Sequence, residues 1–165
     1  MNDVATLFHR LTYGLYVVGV AHGDRRDAFT AAWVVQVSFS PPLLAVSVNP
    51  GNASFPLLRD GGGFTVSVLK RGQLVLARHF GTVSGRDRDK LDGIAWHAGR
   101  GGAPLLDDAL AHFECELVET RPAGDHEIVL GRVVGGRVVD ADATPMRYAE
   151  TGDMDGSSAL YPERL

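Results

Sequence analysis

The stretch FTAAWVVQVSFSPPLLAVSVNP (29–50) decides the fold class. Its first part, within AFTAAWVVQVSFS (28–40), sets apolar residues among β-branched and aromatic ones, the composition of a strand. Pro41-Pro42 closes that run, because proline cannot donate to a ladder. LLAVSVN (43–49) is a second short apolar run of strand type. Upstream, LTYGLYVVGVA (11–21) reads as a buried strand and is followed by a polar turn, HGDRRD (22–27). Three such runs with tight turns between them predict a β-meander.

Working outward, VATLFHRL (4–11) places Val4, Leu7, Phe8 and Leu11 at helical spacing, with Asn2 or Asp3 as its cap. After the turn residues 50–54, SFPLLRDGGG (54–63) predicts a short helix. Ser54 is its N-cap, Pro56 lies in its first turn and Gly61 is its left-handed stop. GFTVSVL (63–69) alternates as a strand, and QLVLARHF (73–80) predicts a helix with Leu74, Ala77 and Phe80 on one face. Gly81 follows as its C-terminal stop. Residues 81–103 are polar and glycine-rich and read as a surface excursion.

HFECELVET (112–120) then puts Phe113, Cys115, Leu117 and Glu119 on one parity. HEIVLGRVVGGRVVD (126–140) is a long strand, with Gly131 as a bulge and Gly135-Gly136 as a bend. No linker divides the chain, so residues 1–165 read as one domain with a tail at 151–165. The whole is mainly β with short helices, which at this size favours a closed or partly open antiparallel barrel.

Composition narrows the chemistry. A net charge of −4 over 165 residues leaves no basic footprint for nucleic acid. A single cysteine forms no internal disulfide, no CxxC pair and no thiolate metal site, so redox work needs a bound cofactor. That cysteine, Cys115, sits on a core strand and is expected to be buried and inert. The six histidines, at 9, 22, 79, 97, 112 and 126, lack ligand spacing, so no metal is expected. The longest apolar run, 11–21, falls short of the ~20 residues a membrane helix requires, and no secretory pattern surrounds it. A cytoplasmic protein without a membrane partner is therefore expected. Dinucleotide, P-loop, HExxH and GxSxG motifs are missing. What remains is glycine-rich loops around an apolar β-core, which suit a flat ligand whose polar edge is read by backbone groups.

Four segments together resemble the flavin reductase-like family. They are LTYGLYVVGV (11–20), the 29–50 stretch, GGGFTVSVL (61–69) with Gln73, Leu76, Ala77 and Phe80 behind it, and GDHEIVLGRV (124–133). In the second, Thr30-Ala31, Val37-Ser38, Pro41-Pro42 and Val46-Ser47-Val48 stand at the family's spacing. LTYGLYVV and Gln36-Val37 are most similar to the flavoredoxin-like branch. The resemblance spans roughly residues 4–150. It implies a six-stranded antiparallel split β-barrel, a homodimer, and FMN in a groove at the dimer interface. It also implies flavin reduction by NADH or NADPH, or onward electron transfer to a redox partner protein or oxygenase. The alternatives are a flavin-binding module without turnover and another split-barrel oxidase.

The resemblance assigns flavin contacts to Thr30, Ala31, Ala32 and Trp33. Small residues there let the backbone approach a flat ring. The family often carries Ser, Asn or Thr at positions 32 and 33, and alanine and tryptophan accept no side-chain hydrogen bonds. Trp33 either stacks on the ring or fills the dimer core. Ser47, Val48, Asn49, Asn52 and Ser54 form a strand end, a turn and a helix start, an arrangement that favours anions. The resemblance puts the FMN phosphate and ribityl chain there, with Arg59 or Arg78 adding charge. Without it, the segment is an ordinary capped turn. Phe80, Gly81 and Thr82 end the second helix and, by resemblance, also lie near the flavin. His126 follows Gly124-Asp125 at a turn. The resemblance places it on the nicotinamide side as the catalytic histidine; the other reading is a histidine that fixes its own turn.

Overall fold

The computed structural model describes residues 3–165, so the proposed Asn2 cap lies outside the described residues. In chain order the elements are α1 (Asp3–Phe8), β1 (Tyr16–His22), β2 (Arg25–Ala31), β3 (Val34–Ser38) and β4 (Leu43–Val48). Then come α2 (Phe55–Gly61), β5 (Gly63–Val68), α3 (Leu74–Thr82), β6 (Trp96–Ala98) and β7 (Pro104–Leu106). The long strands β8 (Ala111–Ala123) and β9 (His126–Val138) follow, and the tail, which comprises the whole segment beyond β9, holds 3-10 turns at Tyr148–Thr151 and Ser157–Leu160.

The main sheet is antiparallel, in the order β2-β1-β5-β8-β9-β4-β3. Its two edge strands are consecutive in the chain, joined only by Ala32 and Trp33. The sheet curls around one interior, where Val18, Phe29, Val46, Phe64, Cys115 and Val129 from six strands pack together with Leu58 of α2. This is a split barrel. It has seven strands in place of the expected six, because the 28–40 run breaks at Ala32-Trp33 and its halves go to opposite edges. No meander forms: β1 pairs with β2 and β5, while β4 pairs with β3 and β9. β6, within the excursion at 81–103, pairs with β7 just beyond it as a small separate hairpin.

A second core lies on the outer face of β1, β2 and β5. There Leu15, Val17, Ala28 and Leu69 meet Ala77 and Phe80 of α3, with Leu91 from the excursion and Leu106 of β7. β1 is thus buried on both faces, which explains its unbroken apolar run. Gly19 is required there, since a Cβ would stand 2.1 Å from the Pro104 carbonyl oxygen.

Several local expectations change. Gly131 is no bulge; it makes room for the Phe64 ring, 2.4 Å from where a Cβ would stand. The register shifts fall at Val118 and Val134, and the first takes Glu119 out of the parity of Cys115 and Leu117. Gly135 and Gly136 stay within β9, paired with Glu114 and Phe113. The left-handed stop of α2 is Gly62, at φ 72°, and Gly61 lies in the helix. Gly81 and Thr82 likewise belong to α3, which ends at Val83. α1 buries Val4 and Ala5, whereas Leu7 and Leu11 are exposed and Phe8 stacks on Tyr161 at 5.3 Å. Among the described residues, no helix is long and apolar enough to cross a membrane.

Two expectations about behaviour follow. Cys115 is 3% exposed, and burial, aided by Glu114, pushes its thiol up to about 12. A thiol reagent should leave it unmodified until the protein unfolds; labelling at native conditions as fast as a free thiol contradicts this packing. His112 is also buried, with Nε2 at 2.7 Å from the Leu106 carbonyl. Burial lowers its pKa below the ordinary 6.5, against the opposing pull of that carbonyl. The unfolded chain therefore takes up a proton that the folded chain refuses. Stability should fall as pH drops below about 6.5, at up to about 1.4 kcal/mol per pH unit. Urea unfolding at several pH values checks this, and His112→Gln should flatten that part of the profile.

Candidate functional site

A groove of about 230 Å³ opens where the two sheet edges meet. One wall is the end of β2 and its link to β3: Thr30, Ala31, Ala32 and Trp33. The floor is the end of β4 and the turn beyond it: Ser47, Val48, Asn49 and Asn52. His126 at the start of β9 and Tyr13 close one side, and the tail covers the other with Tyr148, Asp155, Ser157, Leu160 and Tyr161.

The link between the edges is fixed by two hydrogen bonds. Ser47 N donates to the Trp33 carbonyl at 3.0 Å. Thr30 Oγ1 donates to the Ala77 carbonyl at 2.7 Å, which spends its proton on α3. Trp33 is 42% exposed. Its ring lies 5.0 Å from that of His126 and 6.5 Å from that of Tyr13. Beyond it a second, more apolar hollow of about 550 Å³ shares Tyr13, Ala32, Trp33, Ser47 and Tyr161 with the groove.

In the floor, Asn49 Oδ1 accepts from Gly51 N at 2.9 Å and Asn52 Oδ1 accepts from Ser54 N at 3.2 Å. Both side-chain carbonyls are used inside the turn, which leaves the NH₂ ends as donors toward a ligand. His126 Nδ1 lies 2.7 Å from Asp125 Oδ1. That hydrogen bond and the His126 charge hold the exposed Asp125 carboxyl below its usual value. With the Nδ1 proton given to Asp125, Nε2 is an acceptor in the neutral ring and a donor in the charged one.

In the tail, the Tyr148 hydroxyl lies 3.0 Å from Asp155 Oδ1 and 2.9 Å from Ser157 Oγ. Asp153 accepts from Ser158 N at 3.1 Å. Burial first, then Asp155 and Asp153, push the Tyr148 phenol up to about 12, so it stays neutral. Phe8 stacks on Tyr161, and Ser158 Oγ is 3.4 Å from His9 Nε2, which ties the tail to the end of α1 and the residue after it.

Nine of the expected site residues meet here: Thr30, Ala31, Ala32, Trp33, Ser47, Val48, Asn49, Asn52 and His126. Four do not. Ser54 holds the N-cap position of α2 as expected, but it is fully buried and its hydroxyl donates to Asp27 Oδ2 at 2.6 Å, so the side chain makes no capping bond and does not line the groove. Phe80 is a core residue, 1% exposed, because α3 turns that face inward. Gly81 lies behind the groove, where a Cβ would stand 3.3 Å from Thr30 Cβ. Thr82 Oγ1 donates back to the Arg78 carbonyl at 2.8 Å. Arg59 pairs with its neighbour Asp60. The cation at the turn is Arg86, whose Nη1 and Nη2 both donate to the Gly51 carbonyl at 3.1 Å. Sequence reasoning missed the tail residues as well. Two tyrosines around Gly152 and Gly156 in an otherwise aperiodic segment were the available signal.

Comparison with known proteins agrees with this architecture. Residues 8–157 match the family described as "Flavin reductase like domain". The chain is 41% identical over 143 residues to the high molecular weight rubredoxin of Moorella thermoacetica, covering 86% of this chain and 62% of that relative. The chain thus spans less than two thirds of that relative's length. The NADH:FAD oxidoreductase SgcE6 of Streptomyces globisporus superposes with TM-score 0.81 at 33% identity, over 88% of this chain and 86% of that one. The FMN-binding protein of Thermus thermophilus superposes with TM-score 0.74 at 34% identity, over 79% and 74% of the two chains. With 150 consecutive residues matched on a split barrel, the chain belongs to the flavin reductase-like domain family, a family of oxidoreductases.

Proposed function

We propose that this groove binds FMN and that the protein reduces it with NADH or NADPH, as a flavin reductase or a flavoredoxin-like electron carrier. The observation that carries the reading is the edge of β2. Among the described residues β2 pairs with β1 alone, so the outward backbone groups at its end have no ladder partner there. Ala31 and Ala32 leave that backbone uncovered beside the groove. A flat heterocycle with donors and acceptors along one edge matches such a wall. The aromatic ring of Trp33 and the amide donors of Asn49 and Asn52 serve its face and its polar chain.

When bound, the flavin supplies the two-electron chemistry, and the protein supplies position and field. The β2–β3 link orients the ring edge. Asn49 and Asn52 donate to the phosphate-bearing chain, with Arg86 nearby on Gly51. His126 is held in orientation by Asp125, and its Nε2 is the group offered to the nicotinamide amide. The tail, through Leu160 and Tyr161, keeps water from the reacting face. A flavin held here would let the protein hand electrons on to a redox partner protein or oxygenase; similarity to a relative named as a rubredoxin supports this.

A homodimer is part of the same reading. β3 is an edge strand and exposes Val35 and Val37, and Phe39 just beyond its end is 90% exposed. Val35 also lines the apolar hollow beyond Trp33, and a monomer rarely leaves such a surface uncovered. A second copy on that face would bring the groove to the subunit boundary.

Three outcomes are expected. FMN added to the purified protein should bind, and anaerobic NADH or NADPH should bleach it within seconds. Failure to bind FMN contradicts the reading, and binding without bleaching leaves a passive module. His126→Ala should slow bleaching about tenfold, the equivalent of one lost hydrogen bond, while FMN affinity stays within about twofold. Equal loss of both contradicts its nicotinamide role. Analytical ultracentrifugation should show a dimer that Phe39→Asp converts to monomer; a monomeric wild type contradicts the interface.

A further inference from the structure

We propose that Lys90, acting through Asp27 and Ser54, is a positioning residue for the groove: it locks the 49–54 turn in the place from which Asn49 and Asn52 face the ligand. The proposal rests on the reading of the groove as a flavin site.

The chain brings three distant segments together behind the turn. Asp27 in β2 is 6% exposed, Lys90 in the excursion 3%, and Ser54 is fully buried. Asp27 Oδ2 accepts the Ser54 hydroxyl at 2.6 Å, and Oδ1 accepts the backbone N–H of Ala28 at 2.8 Å. Lys90 Nζ stands 3.6 Å from Oδ1 and 3.5 Å from the Phe80 carbonyl it donates to. The Lys90 carbonyl is in turn 2.7 Å from His79 Nε2, which anchors the loop to α3.

The same loop grips the turn from outside. Arg86 donates twice to Gly51, three residues before Ser54. Between the two grips, Gly85 passes so close that a Cβ would stand 2.4 Å from Asp27 Oδ2. The turn is thus held at Gly51 by a surface cation and at Ser54 by a buried ion pair. It has only local hydrogen bonds of its own, such as Asn52 N to the Asn49 carbonyl at 3.0 Å.

Energetics separates positioning from simple stabilisation. Burial lowers the Lys90 pKa, and Asp27 draws it back up. A buried ion pair of this kind adds little net stability, since desolvation offsets the attraction. Breaking it from one side leaves a buried charge with an unmet demand, and the cheapest relief is movement of the exposed turn. The pair therefore fixes geometry more than it raises the melting temperature.

The test compares wild type with Lys90→Met and with the milder Ser54→Ala, which deletes only the hydroxyl. Backbone hydrogen exchange at residues 49–55 of the ligand-free protein is measured first. It should speed up at least about tenfold in both variants while β8 and β9 keep wild-type protection. FMN affinity should fall about tenfold, with the KM for the nicotinamide unchanged. If Lys90→Met does not fold, Ser54→Ala alone decides. Wild-type exchange at 49–55 in a folded variant overturns the proposal, as does acceleration spread evenly over the sheet. A wild type that binds no flavin sinks the groove reading, while the exchange result still decides whether Lys90 positions the turn.

Discussion

Two residues, Ala32 and Trp33, carry the chain from one edge of the sheet to the other, and the geometry of the molecule depends on that crossing. A strand run that continued through them would have paired locally and closed no barrel. Because it breaks, β2 ends beside β1 and β3 begins beside β4. The two edges face each other across a gap that no ladder fills. The groove is that gap, and the hydrogen bonds from Thr30 to α3 and from Ser47 to Trp33 keep it from collapsing or widening. The proposed flavin site lies where the sheet fails to close.

The groove is finished by elements with little regular structure. The 49–54 turn, the start of β9 and the tail each contribute through short hydrogen-bonded networks. Each network is anchored behind the groove: Asp27 with Lys90 under the turn, Asp125 beside His126, and the acidic cluster around Tyr148 under the tail. The atoms that line the groove are thereby oriented in advance, and on the proposed reading this lowers the ordering cost of flavin binding. The tail is tied to the N-terminal segment by side chains, among them the Phe8–Tyr161 stack and the contacts of His9 with Tyr148 and Ser158.

Much of the barrel was legible in the sequence because strands write their burial as composition. The doubly buried β1 shows as a continuous apolar run, and the 29–50 stretch carries both the β signal and the proline stop. The break at Ala32-Trp33 was not legible. Nothing about alanine and tryptophan ends a strand; tertiary demand at two sheet edges does. The same holds for Ser54. Its position before Phe55 and Pro56 reads as a cap, and only the fold brings Asp27 close enough to claim its hydroxyl. Lys90 sat in a polar excursion and read as solvated, yet it is 3% exposed. The tail had no period because its residues are placed by side-chain contacts to the groove rather than by a helix or a ladder.

Amide chemical shifts followed during a titration with FMN test the central claim most directly. The account predicts that the large changes fall on residues 30–33, on Asn49 and Asn52, on His126 and on the tail from Tyr148 to Tyr161. Shifts concentrated elsewhere, for example in the polar cleft lined by Arg25, Arg88 and Asp92, would contradict it.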